Sequence, residues 1–135
     1  MKHVLFLFFL LTGSTAFGAG RDALNPVPAF TGGCNVANNC TSIPIHTLYY
    51  NHITVQYVWT GTPTGTLGIQ TSNQTLNQQP VPGSFTPVTL TGVTEPAGSA
   101  GSFTLFVWAV APEWLEVTYA ASGGTGTLQA YVTAN

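Results

Sequence analysis

In residues 53–59, ITVQYVW, every second side chain is large and apolar: Ile53, Val55, Tyr57 and Trp59. Side chains alternate between the two faces of a β-strand, so these four share one face of a strand. The chain then runs through TGTPTG and restarts as Thr66-Leu67-Gly68-Ile69-Gln70. A second stretch repeats the plan: residues 114–119, WLEVTY, then AASGGTG, then Thr127-Leu128-Gln129-Ala130-Tyr131. There Leu115, Val117 and Tyr119 lie on one side, with Trp114, Glu116 and Thr118 on the other. Each first strand ends on a large aromatic, and each restart begins with Thr-Leu. Pro63 presets one φ angle and the glycines permit positive φ, so both Gly/Thr segments read as hairpin loops.

The rest of the chain supports an all-β reading. Residues 102–110, SFTLFVWAV, are apolar on both faces, the composition of a central strand covered from both sides. Residues 85–90 form a shorter strand that Pro87 places at an edge or bulge. No helical period of useful length appears. Short strands separated by Gly/Pro turns give a single antiparallel β-sandwich of about seven strands, jelly-roll or immunoglobulin-like in size. It occupies residues 42–135. Residues 17–41, rich in Gly, Pro and Asn, read as an N-terminal arm carrying a disulfide loop.

Residues 1–16 are set apart from this domain. Lys2 precedes the apolar run VLFLFFLL, and Ser14-Thr15-Ala16 offers a small-x-small cleavage site, so cleavage is expected between residues 16 and 20. The run is far shorter than the roughly 20 residues that span a bilayer. The segment reads as a secretory signal peptide, which sends the mature chain to the periplasm, cell surface or extracellular space with no membrane span. Cys34 and Cys40 fit that destination. In an oxidising compartment they pair as a disulfide that fixes an exposed loop tip.

The mature chain keeps one base, Arg21, against four acids, Asp22, Glu95, Glu113 and Glu116. It has no basic patch to neutralise phosphates, which excludes nucleic acid as a partner. Only 4% of residues are charged, whereas 44% are apolar, enough to build a core. Sheet proteins usually guard their edges with charge, proline and bulges. A chain with so little charge is expected to cover its edges with neighbouring subunits, giving a homo-oligomer or surface assembly.

No catalytic, metal or cofactor site is expected. His46 and His52 are an even number of residues apart, a spacing that would let them share a strand face, but they lack a third ligand. The only aspartate, Asp22, lies in the arm, too far out for a Ser-His-Asp set. Glu113 and Glu116 point to opposite strand faces and read as solubilising turn and edge residues. Of the aromatics, Trp59 and Trp108 belong to the core. Trp114, Tyr49 and Tyr50 remain as candidate ligand-contact aromatics for a glycan.

Gln56, Trp59-Thr60-Gly61, Pro63, Gly65-Thr66-Leu67, Gln70, Ser72-Asn73, Trp114-Leu115, Val117, Tyr119, Gly124 and Gly126-Thr127-Leu128 together carry a resemblance. Across residues 43–134 the chain resembles short β-sandwich proteins of the tailed-phage and prophage type, which look like virion- or tail-associated structural proteins. The resemblance implies a structural role and no catalytic residues. Related sequences often follow Ser-Asn with Asp and a nearby Trp, and have Tyr-Thr-Arg where this chain has Tyr119-Ala120-Ala121. The signal peptide and cysteine pair set this chain apart as an exported bacterial relative. The expected function is a secreted, non-enzymatic structural or adhesive surface module that self-associates. The alternatives are a carbohydrate-binding module and, after it, a small secreted hydrolase.

Overall fold

The computed structural model describes residues 23–89, 101–108 and 112–135. The expected signal peptide with its cleavage site, Arg21, Asp22, Glu95 and the side chain of Trp108 lie outside the described residues. Among those residues there is no helix, and twelve strands follow one another. They are β1 (Leu24–Pro28), β2 (Cys34–Asn35), β3 (Cys40–Thr41), β4 (Ile45–His46), β5 (His52–Trp59) and β6 (Thr64–Ser72), then β7 (Thr75–Leu76), β8 (Gln79–Pro80), β9 (Thr86–Pro87), β10 (Gly101–Trp108), β11 (Trp114–Gly123) and β12 (Thr127–Ala134).

Two antiparallel sheets form the sandwich. The first has the order β1-β12-β5-β10, with β2 also pairing on β12. The second has the order β3-β11-β6-β9, with β4 also pairing on β11. Each is four strands wide, one edge being shared by two short strands. The chain changes sheet between β2 and β3, β5 and β6, β9 and β10, and β11 and β12 at one end, and between β4 and β5 and β10 and β11 at the other. This is the connectivity of a jelly roll.

The Gly/Thr segments are therefore not hairpin loops, because each carries the chain from one sheet to the other. A hairpin would set the apolar faces of β5 and β6 side by side in one sheet. Folding the chain over sets them opposite each other, with Ile53, Val55 and Tyr57 facing Leu67 and Ile69 in one shared core. The second ribbon arm does the same with Leu115, Val117 and Tyr119 against Leu128, Ala130 and Val132. The two arms pair along their whole length. β5 and β12 run from Ile53↔Ala134 to Trp59↔Leu128, and β6 and β11 from Thr64↔Gly123 to Ser72↔Trp114.

Between these ladders the pairing continues through the corner. The Thr60 amide donates to the Thr127 carbonyl at 2.9 Å and the Thr62 amide to the Thr125 carbonyl at 2.8 Å. The hydroxyls of Thr60 and Thr127 lie 3.0 Å apart, and those of Thr62 and Thr125 3.4 Å apart. One register shift, between Ala121 and Gly123, accommodates the bend. Glycine is required here by contact as well as by conformation. A Cβ on Gly124 would meet the Thr62 carbonyl oxygen at 2.1 Å, and one on Gly126 the Thr60 oxygen at 2.0 Å.

The core adds a polar tie. The Tyr57 hydroxyl, on β5, crosses between the sheets and donates to the Gly68 carbonyl of β6 at 3.0 Å. Tyr119 donates to the Thr64 carbonyl at 2.8 Å. Both rings are fully enclosed, and burial raises both hydroxyls above their ordinary pKa.

Residues 24–41 belong to the sandwich rather than standing outside it as an arm. β1 pairs in cis with β12, and the side chain of Gln129 clamps Phe30 by accepting from its amide at 3.0 Å and donating to its carbonyl at 2.7 Å. Cys34 pairs beside Leu128 in one sheet and Cys40 beside Tyr119 in the other, so their disulfide joins the two sheet edges across the corner. It does not simply hold an exposed tip. Cys34 and Val36 are buried, and the Val36 amide donates to the Gly126 carbonyl at 3.2 Å. The 34–40 segment is thus a third chain crossing, packed beside the two Gly/Thr arches.

Two predictions follow from the corner and the core. Gly126→Ala should lose about 3 kcal/mol or more in urea melts, since a close backbone contact and an unfavourable φ both oppose it. Gly83→Ala, with φ +76 but open space around it, should lose only about 1 kcal/mol. Equal losses would refute the close approach of the arches. The second prediction concerns Tyr57. Its unfolded hydroxyl ionises near pH ~10 while the folded one keeps its proton, so the folded state binds more protons above that pH and stability falls as pH rises further. Tyr57→Phe should remove part of that alkaline fall, at a cost of about 1 kcal/mol near neutral pH.

Candidate functional site

Three surfaces arise from this fold. The first is the open edge and outer face of the β10 sheet. β10 pairs with β5 along its whole length, from Gly101↔Trp59 to Trp108↔His52. Among the described residues no strand pairs with its other edge. The sequence placed this strand centrally, and the structure places it at the border. Apolar residues on both faces show only that a strand is to be covered, not that the same chain supplies the cover. Beside it, Pro26, Thr54, Gln56, Thr104, Tyr131 and Thr133 line a shallow, uncharged hollow on the outer face.

The second surface is the corner, where the threonine hydroxyls of the two arches stand exposed beside the disulfide. Ala29, Phe30, Gly33, Asn39, Cys40 and Ile43 line a groove next to it, with Ile43 60% exposed. The Asn39 side chain is spoken for, its Oδ1 accepting from the Ala121 amide at 2.8 Å.

The third lies on the outer face of the other sheet. Glu116 and Gln70 are direct cross-strand partners there, and Pro87 faces Gln70 from β9. The Gln70 amide nitrogen donates to the Glu116 carboxylate at 2.6 Å. Glu116 is only 9% exposed, so it is not the solubilising edge residue that the sequence suggested. It is covered because the segment after β6 folds back over the sheet. Asn77 and Gln78 both have positive φ, closing the β7–β8 ribbon with the geometry of a type I′ turn. Beyond it the chain is held by the bond between Ser72 and Ser84 and by the Val81 amide donating to the Gln74 carbonyl at 3.0 Å. The resulting hollow is lined by Glu116, Gln70, Pro44, Pro80, Pro82 and Phe85.

The same covering decides the fate of Trp114, one of the three candidate aromatics. Trp114 is buried. Its indole N–H donates to Thr75 Oγ1 at 2.8 Å, and its ring lies 4.8 Å from that of His46 at a 57° tilt. It therefore offers no face to a ligand. Tyr50 is half-buried and packs against the core, whereas Tyr49 is 63% exposed with φ 80. The three do not present a common exposed platform. Trp59 packs on the core as expected, fitting against Gly101 on the neighbouring strand.

Among the described residues no group of three or more His, Cys, Asp or Glu could hold a metal ion. His46 is engaged with Trp114, and the Glu113 amide, just before β11, donates to Asn73 Oδ1 at 2.9 Å. No described helix is long and apolar enough to cross a membrane. The chain matches no protein-family model and no curated protein.

Proposed function

We propose that the protein is a secreted, non-enzymatic structural or adhesive module that assembles with copies of itself through the edge of β10. The observation that carries this reading is the contrast between β10 and the other edges. β1 contains Pro26 and Pro28, β3 and β4 are two-residue strands separated by a segment containing Pro44, and β9 is two residues ending at Pro87. Short strands and prolines are the usual protection of a sheet edge. β10 has eight residues with neither proline nor charge, GSFTLFVW. Its backbone can accept another strand, and a second β10 laid antiparallel is self-complementary. With no charge on either copy, nothing repels the pairing.

Export is supported by the Cys34–Cys40 disulfide and by the leader-like sequence of residues 1–16. A structural role also agrees with the resemblance to phage-tail-type sandwiches. Size-exclusion chromatography with light scattering on the mature chain tests the reading. The wild type should form a dimer or larger assembly, and Ser102→Lys with Thr104→Lys should disperse it to monomers that melt at an unchanged temperature. Both residues are exposed, so the substitutions charge the surface beside the edge without touching the core. A wild type that stays monomeric at high micromolar concentration would contradict the proposal.

A further inference from the structure

The hollow over Glu116 is a second feature, on the opposite sheet, and does not depend on self-association. Its floor is a carboxylate held against an amide. Among the described residues there is no lysine or arginine, so none of them supplies such a cation to Glu116. Its hydrogen bond from Gln70 is its single side-chain partner there, and that bond uses one of the two Gln70 amide N–H groups. What the pair has left for a visitor is mostly acceptor oxygen, the rest of the carboxylate and the Gln70 carbonyl, with one Gln70 N–H beside them. A buried carboxylate with so few donors gains from any ligand that brings them.

The walls narrow the class of ligand. Pro44, Pro80 and Pro82 are rigid, with fixed φ, and Phe85 adds a half-buried aromatic ring. These surfaces are apolar, and ordering them costs little conformational entropy. The ligand must bring two or more hydroxyl donors close together on one side and a C–H face on the other. A pyranose ring carries both, with vicinal hydroxyls along one edge and axial or equatorial C–H bonds across its face. A simple ammonium ion would satisfy the carboxylate but leave the proline and phenylalanine walls unused.

We infer that the Glu116–Gln70 hollow is a binding subsite for a neutral sugar residue, with its vicinal hydroxyls donating to Glu116 and Gln70 and its C–H face on Phe85 and the prolines. This places glycan contact on the outer face of the β11–β6 sheet. The sequence-based candidates Trp114, Tyr49 and Tyr50 take no part in it.

The test is a titration of the isotopically labelled full chain with methyl glycosides of glucose, galactose, mannose and N-acetylglucosamine, followed by amide and side-chain chemical shifts. At least one glycoside should shift Gln70, Glu116 and Phe85 at millimolar concentration. Glu116→Gln and Phe85→Ala should each weaken that binding about tenfold or more. Phe85 is partly exposed, so its variant keeps the fold and separates loss of binding from loss of structure; unchanged shifts across the β5–β12 ladder confirm this. Three results would overturn the inference. They are no response to any of the four glycosides, responses confined to other surfaces, or a response at Glu116 to propylammonium but to none of the glycosides.

Discussion

Everything in this molecule turns on the backbone contact between its two Gly/Thr arches. The amides of Thr60 and Thr62 pair with the carbonyls of Thr127 and Thr125, which lets one antiparallel ribbon bend through the corner of the sandwich with a single register shift, between Ala121 and Gly123. The bend brings the apolar faces of the four central strands β5, β6, β11 and β12 into one core. It also fixes which strands stand where. With β5–β12 and β6–β11 central, only the outer positions remain, and the N-terminal segment fills one edge of each sheet. β9 and β10 take the others. The disulfide locks a third crossing against the same corner.

That arrangement links fold to surface properties. A chain with almost no charge has few ways to discourage edge pairing. It spends prolines and short strands on three edges, and among the described residues the fourth is long and unpaired. The two faces also differ. The outer face beside β10 carries an uncharged hollow lined mostly by threonine with Gln56, Tyr131 and Pro26, whereas the other carries a folded-back segment that shelters a carboxylate. An assembly built through one sheet would leave the opposite sheet outward, with the Glu116 hollow still accessible. The proposed self-association and the proposed ligand contact would thus occupy separate sides of the same module.

Much of the fold was legible in the sequence. The alternation of Ile53, Val55 and Tyr57, and of Leu115, Val117 and Tyr119, gives both the strands and their buried faces, and Pro87 marks its edge. The path of the Gly/Thr segments was not legible, because positive-φ glycines and a preset proline serve a hairpin and a cross-sheet arch equally well. The difference lies in contacts between residues more than 60 positions apart, such as Thr60 with Thr127. Glu116 and Trp114 were misread for a related reason. Both lie on the outward side of an alternating strand, and what covers them is the 73–85 segment. Its turn is made by Asn77 and Gln78 rather than by a glycine, so nothing local announced it. The apolar character of β10 was read correctly and its location was not, since composition records that a face is to be covered and is silent about by whom.

Site-resolved amide hydrogen exchange across a range of protein concentrations tests the central claim, that a locked corner leaves β10 as the open edge. The account predicts that the Thr60 and Thr62 amides exchange as slowly as those of β5 and β12 at every concentration. It predicts also that the β10 amides directed away from β5 exchange quickly when dilute and slow down as concentration rises. Fast exchange at Thr60 and Thr62, at the rate of an exposed loop, would contradict the paired arches. Full protection of every β10 amide at the lowest concentration would contradict the open edge.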